Sequence, residues 1–404
     1  MNRTLYLSYD GLTDPLGQSQ ILPYLKELSI NTEIHIISSE KKENFKKYEQ
    51  DINEFIGNSN IYWYPMKYKK FPPILSTAYD LMNMCLKSLK LHKIYKFSTL
   101  HCRSHLTAIL GHYFKKKTNV PYIFDMRSFF PEERVDGRLW PQDRLVYKII
   151  YSYFKKIEKE MLVTADHIVV LTQKAKQILS LDANRISVIP CCADFSHFDY
   201  NKISENSTLL AKKNLGIAED DFVLSYLGSL GTWYMLDEML DFFKALKVSN
   251  SKSVFLFLSP TDPDFIYDAA RKKGINLDDI YIKFSPRKEL PLLLSISSTS
   301  IFFIKNTFSK KASSPTKLAE IMGMGIPVIV NSGVGDLDEI VMKISQGKII
   351  NLDNLNPYED IFKNLNQLKD ADKGSIRDEG LKIFSLKKGV ELYRQIYEKL
   401  ESQN

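Results

Sequence analysis

Short apolar runs alternate with stretches of helical period along the whole chain, and this alternation constrains the fold more than any other feature. The runs before residue 196 read LYLSYDG, EIHIISS, VPYIFDM, HIVVLT and ISVIPC, and those after residue 215 read DFVLSYLG, SVFLFLSP, IYIKF, SIFFIK and IPVIVN. A β-then-α alternation is typical of parallel sheets with crossover helices. The sequence therefore predicts an α/β fold.

The chain is long enough for more than one such sheet. Its 404 residues correspond to two or three domains at about 150 residues each. Residues 196–215 are polar and have no clean period, which is typical of a linker. We predict two Rossmann-like domains, residues 1–200 and 201–384, facing across a cleft. Ligands of open α/β sheets bind beyond the carboxyl ends of the strands, so the turns after the strands are where a site is expected.

The composition excludes several classes of protein. With 44% apolar and 25% charged residues, the chain has an ordinary globular composition. Uncharged runs such as 290–304 and 321–335 are interrupted by Ser, Thr or Gly residues, so no transmembrane helix is predicted. The N-terminus enters a β-rich pattern directly and does not indicate a signal peptide. The four cysteines lack the spacing of a disulfide framework or a zinc site, and we expect a cytoplasmic protein.

Basic charge is concentrated between residues 41 and 117. This segment holds 15 Lys and Arg against 5 Asp and Glu, interleaved with aromatic residues. The combination fits an anionic membrane surface or a nucleic-acid backbone, and it also fits a solvated face with some aromatic core residues. No nucleic-acid-binding motif accompanies it. We therefore expect no nucleic acid as a partner. The partner that this segment predicts is an anionic membrane surface, on the inner face of the cell membrane.

Three turns in the second half of the chain carry features of an anion site. The first contains Gly228, Ser229 and Gly231, between a strand and an amphipathic helix. Glycines let a backbone approach a ligand, and a helix start supplies free N–H groups. A simple tight turn explains the same residues.

The second turn precedes a helix that the sequence places from Pro315, with Ser314 as the N-cap. Three lysines, Lys310, Lys311 and Lys317, crowd the positive end of this helix, where the macrodipole penalises bases by about 0.3–1 kcal/mol each. A bound diphosphate accounts for the arrangement, with Ser313, Ser314, Thr316 and Lys317 as its ligands. The alternative is that the lysines point into water.

The third turn, Ser285-Pro286-Arg287-Lys288, repeats the same device after the strand YIKF, with Ser285 as a cap and Arg287 as a phosphate ligand. Glu320 lies one turn beyond Lys317. It either pairs with that lysine at i, i+3 or accepts both hydroxyls of a ribose, because a carboxylate offers two oxygens to a vicinal diol. Diphosphate at the helix start and ribose one turn later predict a nucleoside diphosphate ligand.

Three segments together resemble the glycosyltransferases of family 4. They are YDGLTDPLGQSQILPYL, VLSYLGSLGTWYMLDEML and SSPTKLAEIMGMGIPVIVNSGVGDLDEIV. The resemblance implies the two-domain GT-B fold, a nucleotide sugar in the C-terminal domain, an acceptor on the N-terminal domain and retention of anomeric configuration. It also implies that a final helix, within residues 385–404, crosses back to the N-terminal domain.

The chain departs from the family pattern at two places. Many members carry two glutamates eight positions apart; Glu320 matches the second, but the first position is Ala312. Many also carry an Arg and a Lys after the glycine-rich turn, where Ser229 and Tyr234 stand here. The nucleotide half of the site is therefore better supported by the resemblance than the sugar half.

The N-terminal half offers strand-end residues for an acceptor. The resemblance places acceptor or phosphate contacts at the turn that contains Gly17 and Gln18. Asp125 is the candidate for orienting or deprotonating an acceptor hydroxyl and Arg127 for binding an acceptor anion, although an ordinary Asp–Arg pair fits equally well. Arg103 and His105 occupy a similar place, and a lone His is more often structural.

The leading hypothesis is a glycosyltransferase that uses a nucleotide sugar to extend a lipid-linked or saccharide acceptor in bacterial surface polysaccharide synthesis. Fixed cations and helix N–H groups can neutralise the diphosphate, so no metal or cofactor is predicted, despite the pairs Asp262/Asp264 and Asp336/Asp338. One alternative is a sugar-nucleotide epimerase of the same fold. Another is a non-catalytic binding protein that retains the fold, suggested by Ala312.

Overall fold

The computed structural model of the protein describes residues 2–344, 347–354, 357–358, 361–362 and 365–402. The chain divides into two compact units. The N-terminal unit comprises Met1–Pro190 and Leu386–Asn404, and the C-terminal unit comprises Cys191–Ser385. Both are α/β units with a parallel sheet in the described part of the chain, as the alternating sequence pattern predicted.

The described part of the N-terminal unit contains a seven-stranded sheet in the order β3-β2-β1-β4-β5-β6-β7, with every pair parallel. Its strands are β1 Asn2–Ser8, β2 Thr32–Glu40, β3 Ile61–Lys67, β4 Thr99–Arg103, β5 Tyr122–Met126, β6 His167–Val170 and β7 Ile186–Val188. Its helices up to this point are α1 Pro15–Gln20, α2 Leu22–Leu28, α3 Lys42–Ile56, α4 Pro73–Tyr95, α5 Ser104–Thr118, α6 Phe130–Asp136, α7 Leu145–Thr164 and α8 Gln173–Leu179.

The helices of this unit lie on two faces of the sheet. The chain moves from β1 outward to β3 and then returns through β4 to β7, and right-handed crossovers in opposite directions place their helices on opposite faces. On one face the ammonium of Lys26 in α2 lies 4.1 Å from the ring of Phe55 in α3. On the other, His92 of α4 packs on Phe114 of α5 with ring centroids 5.2 Å apart.

The C-terminal unit contains a six-stranded sheet in the order β10-β9-β8-β11-β12-β13, again parallel throughout its described residues. The strands are β8 Phe222–Leu227, β9 Ser253–Leu258, β10 Ile280–Lys283, β11 Thr299–Phe302, β12 Val328–Asn331 and β13 Lys348–Ile350. The helices are α9 Glu205–Leu215, α10 Leu236–Ser249, α11 Pro263–Lys272, α12 Leu290–Leu294, α13 Thr316–Gly323, α14 Leu337–Val341, α15 Leu365–Lys369 and α16 Lys373–Phe384. Strands β8 and β9 are buried at every position, as strands covered on both faces are.

The final helix, α17 Leu386–Glu401, belongs to the N-terminal unit, so the crossing back that the resemblance implied is confirmed. It packs against α2, where Tyr393 meets Tyr24 edge to face at 5.8 Å. The chain also passes between the units after Pro190. Within the C-terminal unit the backbone N–H of Ala193 donates to the carbonyl of Phe384 at 2.9 Å, so the two crossing segments run side by side.

The predicted linker at 196–215 is wrong. Phe198 is buried in the core of the C-terminal unit, and residues 205–215 form α9. Ser204 caps this helix by accepting the N–H of Ser207, and Gly216 ends it with a φ of 78°. The helix escaped prediction because it buries little more than Ala211 and the stem of Lys212, which leaves no apolar period.

The segment between β1 and β2 forms two short helices, α1 and α2, with a break between them. They are separated at Ile21, whose φ is −119°. Pro23 lies in the first turn of α2, where its missing N–H costs nothing, whereas inside one continuous helix it would remove a backbone hydrogen bond. In the described part of the chain, no helix combines the length and the apolar character that crossing a bilayer requires.

Candidate functional site

The glycine-rich turn after β8 is shaped by its neighbours. Gly228 has a φ of 105°, which favours glycine, and a Cβ at this position would lie 3.3 Å from the ammonium of Lys317. The Ser229 carbonyl accepts the hydroxyl of Tyr226 at 2.9 Å, and the Leu230 N–H donates to Thr261 at 2.8 Å. The turn is therefore held against the start of α13, which brings the first and second predicted motifs together.

Gly231 is not required by the packing of the chain. A Cβ there would meet no atom within 4 Å, so the space beside this residue is open. The following residues pair with the end of β11: the Met235 N–H donates to the Phe303 carbonyl at 3.0 Å, and the Lys305 N–H to the Trp233 carbonyl at 2.9 Å. This pairing places Tyr234 against Tyr226, with ring centroids 5.8 Å apart.

Lys317 is enclosed by aromatic side chains. Its Nζ lies 4.1 Å from the centre of the Tyr226 ring, 3.7 Å from that of Tyr234 and 5.7 Å from that of Phe302. The ammonium donates to the Tyr226 hydroxyl at 3.0 Å. We call Tyr226, Tyr234 and Phe302 the aromatic cage. Neither the lysine nor the cage is a solvated surface feature, so the alternative that this lysine points into water does not hold.

The cage sets the ionisation of its members. Burial lowers the pKa of Lys317 well below its usual value, and the charge of Glu320 only partly opposes this. Burial also raises the pKa of Tyr226 and raises that of Tyr234 to about 12, so both phenols remain neutral. In the described part of the chain no carboxylate lies within ion-pair distance of the Lys317 ammonium. A buried cation held only by ring faces and one hydroxyl is poised to accept an anion.

Glu320 pairs with Arg287 instead of with Lys317. The guanidinium Nη1 lies 2.6 Å from Oε1 of Glu320, and the guanidinium also lies over the ring of Phe198 at 5.0 Å. His197 contacts the Arg287 carbonyl at 3.0 Å. The i, i+3 pair of Lys317 and Glu320 that the sequence allowed is therefore not formed. Arg287 was predicted as a phosphate ligand, but its guanidinium is already engaged by the Glu320 carboxylate.

The helix caps predicted at two of the turns are wrong. Helix α13 begins at Thr316 with Pro315 at its N-cap, and the Ser314 hydroxyl instead accepts the backbone N–H of Cys191 at 3.2 Å. The third turn leads into a short 3-10 segment, Arg287–Glu289, and the Ser285 hydroxyl donates to Glu289 at 2.6 Å. Pro291, which lacks a backbone N–H, lies in the first turn of α12, so the regular helix begins only at Leu290.

The remaining predicted residues lie in the segment before α13. Residues 308–312 form a 3-10 helix, and Ser313, at its end, donates its N–H to the Lys310 carbonyl at 3.1 Å. Lys310 is buried, with its ammonium 3.7 Å from the centre of the Trp233 ring. Ala312 is buried at the position where the resemblance implies a glutamate, so no carboxylate stands there. Tyr226, Tyr234, Phe302 and Trp233 were not predicted as site residues. The one sequence signal was that Tyr226, Trp233 and Tyr234 flank the glycine-rich turn.

In the N-terminal unit, charged residues meet at the ends of β4 and β5. Asp125 is buried, with Oδ1 at 3.4 Å from Nη1 of Arg127 and Oδ2 at 3.7 Å from Nη1 of Arg103. The Nε2 of His101 lies 3.4 Å from Oδ2, and its Nδ1 contacts the hydroxyl of Tyr397 in α17 at 2.8 Å. Asp125 is therefore the common partner of three side chains, which we call the Asp125 cluster.

Ionisation within this cluster bears on the predicted role of Asp125. Burial works to raise the pKa of Asp125, but Arg127, His101 and Arg103 outweigh it and hold the pKa well below its usual range. Burial lowers the pKa of His101, although Asp125 opposes this. A carboxylate with so low a pKa is a weak proton acceptor. The geometry favours the structural Asp–Arg pair that the sequence left open, while contact of Arg127 with an acceptor stays a prediction.

His105 lies in a separate, largely internal network. Its Nε2 contacts Glu158 of α7 at 2.7 Å, and its ring is stacked on Phe130 at 5.5 Å. Lys155 joins Glu158 to Glu132, at 2.7 Å from the latter. The histidine ties α5 to α7, which favours the structural role over acceptor binding.

The loop after β1 is organised by a carboxylate that the sequence did not single out. Glu40, at the end of β2, accepts the backbone N–H groups of Leu12 at 2.8 Å and Thr13 at 3.2 Å. The Gln18 amide donates to the Thr13 carbonyl at 3.1 Å. A Cβ at Gly17 would lie 2.1 Å from the Gly11 carbonyl, so packing alone requires this glycine.

The two Asp-x-Asp pairs have local partners. Asp262 caps α11 by accepting the Asp264 N–H at 3.1 Å. Asp338 accepts the Gly333 N–H at 3.1 Å. Among the described residues there is no group of three or more His, Cys, Asp or Glu side chains that could hold a metal ion.

Comparisons of the sequence with known proteins support a glycosyltransferase. Residues 208–367 match the sequence model of the family described as Glycosyl transferases group 1. An uncharacterised glycosyltransferase of Methanocaldococcus jannaschii is 23% identical over 297 residues, which is 72% of this chain and 72% of that protein.

Solved structures share the fold across the whole chain. Sucrose-phosphate synthase from Thermosynechococcus elongatus superposes with a TM-score of 0.77 at 14% identity, and the match covers 100% of both chains. Anabaena HepE, solved in complex with UDP-glucose, superposes with a TM-score of 0.70 at 13% identity and again covers 100% of both chains. The more specific assignment to family 4 stays a prediction. The chain is a glycosyltransferase of the GT-B fold, and the segment that matches the group 1 model lies in its C-terminal unit.

Proposed function

We propose that this glycosyltransferase takes its sugar from a nucleoside diphosphate sugar bound in the C-terminal unit. The observation that carries the proposal is the ammonium of Lys317, which is buried in the aromatic cage and lies against Gly228 without a carboxylate partner in the described part of the chain. A buried cation of this kind is costly unless a ligand compensates it. A diphosphate placed beside the open Gly231 turn would supply that compensation.

The ribose of the donor is proposed to bind at Glu320. The carboxylate lies one helical turn beyond Lys317, is mostly buried, and is oriented by the bidentate-capable guanidinium of Arg287 at Oε1. A fixed carboxylate oxygen is a strong acceptor for a ribose hydroxyl, because hydrogen bonds to ionised groups are roughly twice as strong as neutral ones. The complex of Anabaena HepE with UDP-glucose supports a uridine nucleotide as the first donor to test.

The acceptor is proposed to bind at the carboxyl edge of the N-terminal sheet. Two arginines share the single buried carboxylate of Asp125 there, and the carboxylate of Asp10 lies 3.8 Å from Arg103. Guanidinium groups at this edge suit an anionic acceptor such as a lipid-linked phosphate or an acidic saccharide. Synthesis of a bacterial surface polysaccharide is the role that the sequence resemblance supports.

The transfer is proposed to retain anomeric configuration and to need no metal. Lys317 would neutralise charge on the departing diphosphate, which is the contribution that a metal ion makes in other transferases. Donor and acceptor held in line could supply up to about 7–11 kcal/mol of barrier reduction through orientation alone. Retention follows from the family resemblance and is checked by the anomeric coupling constant of the product in NMR.

Calorimetric titration with UDP and 2′-deoxy-UDP tests the donor site. The wild-type protein should bind UDP more tightly than 2′-deoxy-UDP, and Glu320→Ala should weaken UDP binding by about tenfold or more and remove the difference between the two nucleotides. Glu205→Ala, which removes an exposed carboxylate at the start of α9, is the control. Unchanged UDP affinity in Glu320→Ala would remove the ribose assignment. Failure of the wild-type protein to bind UDP, GDP or ADP would sink the donor proposal.

A further inference from the structure

Helix α4 exposes a stripe of apolar side chains, although several of its buried positions are polar. Its buried side includes Ser76, Asp80 and Ser88, whereas Leu75 and Leu86 are 69% and 60% exposed. The buried polar groups are satisfied, since Asp80 accepts the Lys69 N–H at 3.0 Å. The exposed apolar side chains fall at helical spacing on one side: Leu75, Tyr79, Met82 and Leu86. An apolar stripe of α4 therefore faces away from the core, in addition to the buried Met84 and Leu91.

Lysines bracket this stripe. Lys69 and Lys70 precede it, and the exposed Lys90 and Lys93 continue it towards the C-terminal end of the helix. The ammonium of Lys69 lies 3.5 Å from the centre of the Tyr79 ring. The one acidic residue of α4, Asp80, is buried, so the outward side of the helix carries apolar and basic groups without a carboxylate.

Helix α7 presents the same combination. Leu145 and Ile149 are 73% and 60% exposed, with Val146 and Tyr153 beside them. Lys148, Lys156 and Lys159 are exposed on the same helix. Its two acidic residues are engaged elsewhere: Glu158 is buried against His105, and Glu160 lies 3.4 Å from His112.

The two helices belong to one layer. Helix α5 lies between them, since His92 of α4 contacts Phe114 of α5, and His112 of α5 contacts Thr164 of α7 at 2.8 Å. Each helix follows the carboxyl end of a strand and returns towards the amino end, so the apolar first halves of α4 and α7 lie at the edge of the sheet that carries the Asp125 cluster. Their lysine-rich second halves lie behind this edge, together with Lys116 and Lys117 of α5.

The sheet topology divides residues 41–117, which were predicted to form one membrane-binding surface, between two faces of the sheet. Helix α3, with Lys42 and Lys46, lies on the opposite face of the sheet from α4 and α5, so this segment does not form one basic surface. Helix α7, outside the segment, completes the α4–α5 layer instead. We call the outward side of α4, α5 and α7 the docking face.

We propose that the docking face binds an anionic lipid bilayer, with the apolar halves of α4 and α7 inserted at the headgroup level and the lysines against anionic headgroups. This rests on the proposed lipid-linked acceptor, because it would bring the Asp125 cluster to the membrane surface. An amphipathic element with lysines and exposed Leu, Ile and Tyr side chains has the composition of an interfacial membrane helix. A second copy of the chain is disfavoured as the occupant, because two such faces would oppose their lysine rows.

Vesicle sedimentation tests this proposal. The wild-type protein should sediment with phosphatidylcholine vesicles that contain phosphatidylglycerol, much less with phosphatidylcholine alone, and less at high salt. Lys90→Gln/Lys93→Gln and, separately, Leu75→Asn/Leu86→Asn should each weaken binding on the order of tenfold. All four side chains are on the outward side of α4, so folding is expected to persist and is checked by circular dichroism. The matched control, Lys42→Gln/Lys46→Gln on α3, removes the same charge from the opposite face and should bind as the wild type does.

Three outcomes would overturn the proposal. They are absence of wild-type binding to anionic vesicles, equal loss in the α3 control, and a concentration-dependent dimer in sedimentation velocity that the α4 variants abolish. UDP titration of the same preparations separates this proposal from the donor proposal. Lost vesicle binding with normal UDP binding would reject the docking face alone, and lost UDP binding with normal vesicle binding would reject the donor site alone.

Discussion

The two units place buried charge at the carboxyl edges of their sheets in different ways. In the N-terminal unit the guanidinium groups of Arg103 and Arg127 share the carboxylate of Asp125, and His101 closes the cluster. In the C-terminal unit Lys317 is held by the faces of Tyr226 and Tyr234 and by one hydroxyl. The first arrangement is neutralised largely within the protein. The second leaves a buried lysine with no carboxylate within ion-pair distance in the described part of the chain.

The comparison separates structural from functional use of charge. A buried ion pair contributes little net stability, but breaking it by removing one partner is costly because the other charge remains buried. A buried lysine in an aromatic cage is costly before any ligand arrives, and burial lowers its pKa for that reason. We therefore expect substitutions in the Asp125 cluster to act first on folding, and substitutions at Lys317 to act first on donor binding.

The largest effect is expected from Asp125→Asn. The substitution leaves the buried Arg103 and the nearby Arg127 without their shared carboxylate, and the free energy of unfolding should fall by about 3–5 kcal/mol. Urea denaturation measures the change. Asp10→Asn is the matched control, because that carboxylate is half exposed and should cost less than about 1 kcal/mol. A loss in Asp125→Asn no larger than that of the control would show that the cluster does not depend on this carboxylate.

Lys317→Met should have the next largest effect, and on binding instead of stability. Removing a buried charge that faces an anion typically costs 2–5 kcal/mol, so UDP affinity should fall by about 100-fold or more. Methionine fills a similar volume without a charge to desolvate, so the urea midpoint should not decrease. Lys213→Met, which removes an exposed lysine of α9, is the control for calorimetry. Wild-type UDP affinity in Lys317→Met would mean that the caged ammonium does not contact the diphosphate.

Much of the fold followed from the sequence, because strands buried on both faces appear as continuous apolar runs such as SVFLFL in β9. Helix α9 did not, because it has almost no apolar side. The Gly228 turn and Lys317 were identified by their local chemistry. The partners of these charged groups were not identified. Arg287 and Glu320 are distant in sequence, and the ring of Tyr234 reaches Lys317 only because residues 233–235 pair with the end of β11. Contacts between elements decide such pairings, and one sequence does not record them.

Donor binding should also depend on pH in a way that the Asp125 cluster cannot produce. Burial lowers the pKa of Lys317 in the free protein, and a bound diphosphate would raise it again, so binding takes up a proton above the lowered pKa. UDP affinity should therefore fall as pH rises, by at most about tenfold per pH unit. Calorimetry in two buffers of different ionisation enthalpy measures the uptake. The uptake should disappear in Lys317→Met; its persistence there would assign the proton to another group.

The smallest effect is expected from Arg287→Ala, which tests how Glu320 is oriented. The guanidinium contacts Oε1 of Glu320 and lies over Phe198, so its loss should leave the carboxylate in place but less fixed. UDP affinity should fall by about fivefold to tenfold, which corresponds to one hydrogen bond, and 2′-deoxy-UDP affinity should change less. Lys288→Ala, which removes the adjacent exposed lysine, should leave both affinities unchanged. If Arg287→Ala instead weakens the binding of both nucleotides equally, Arg287 acts on the diphosphate, as the sequence first predicted. The assignment of Glu320 and Arg287 to the ribose, and of Lys317 alone to the diphosphate, would then be wrong.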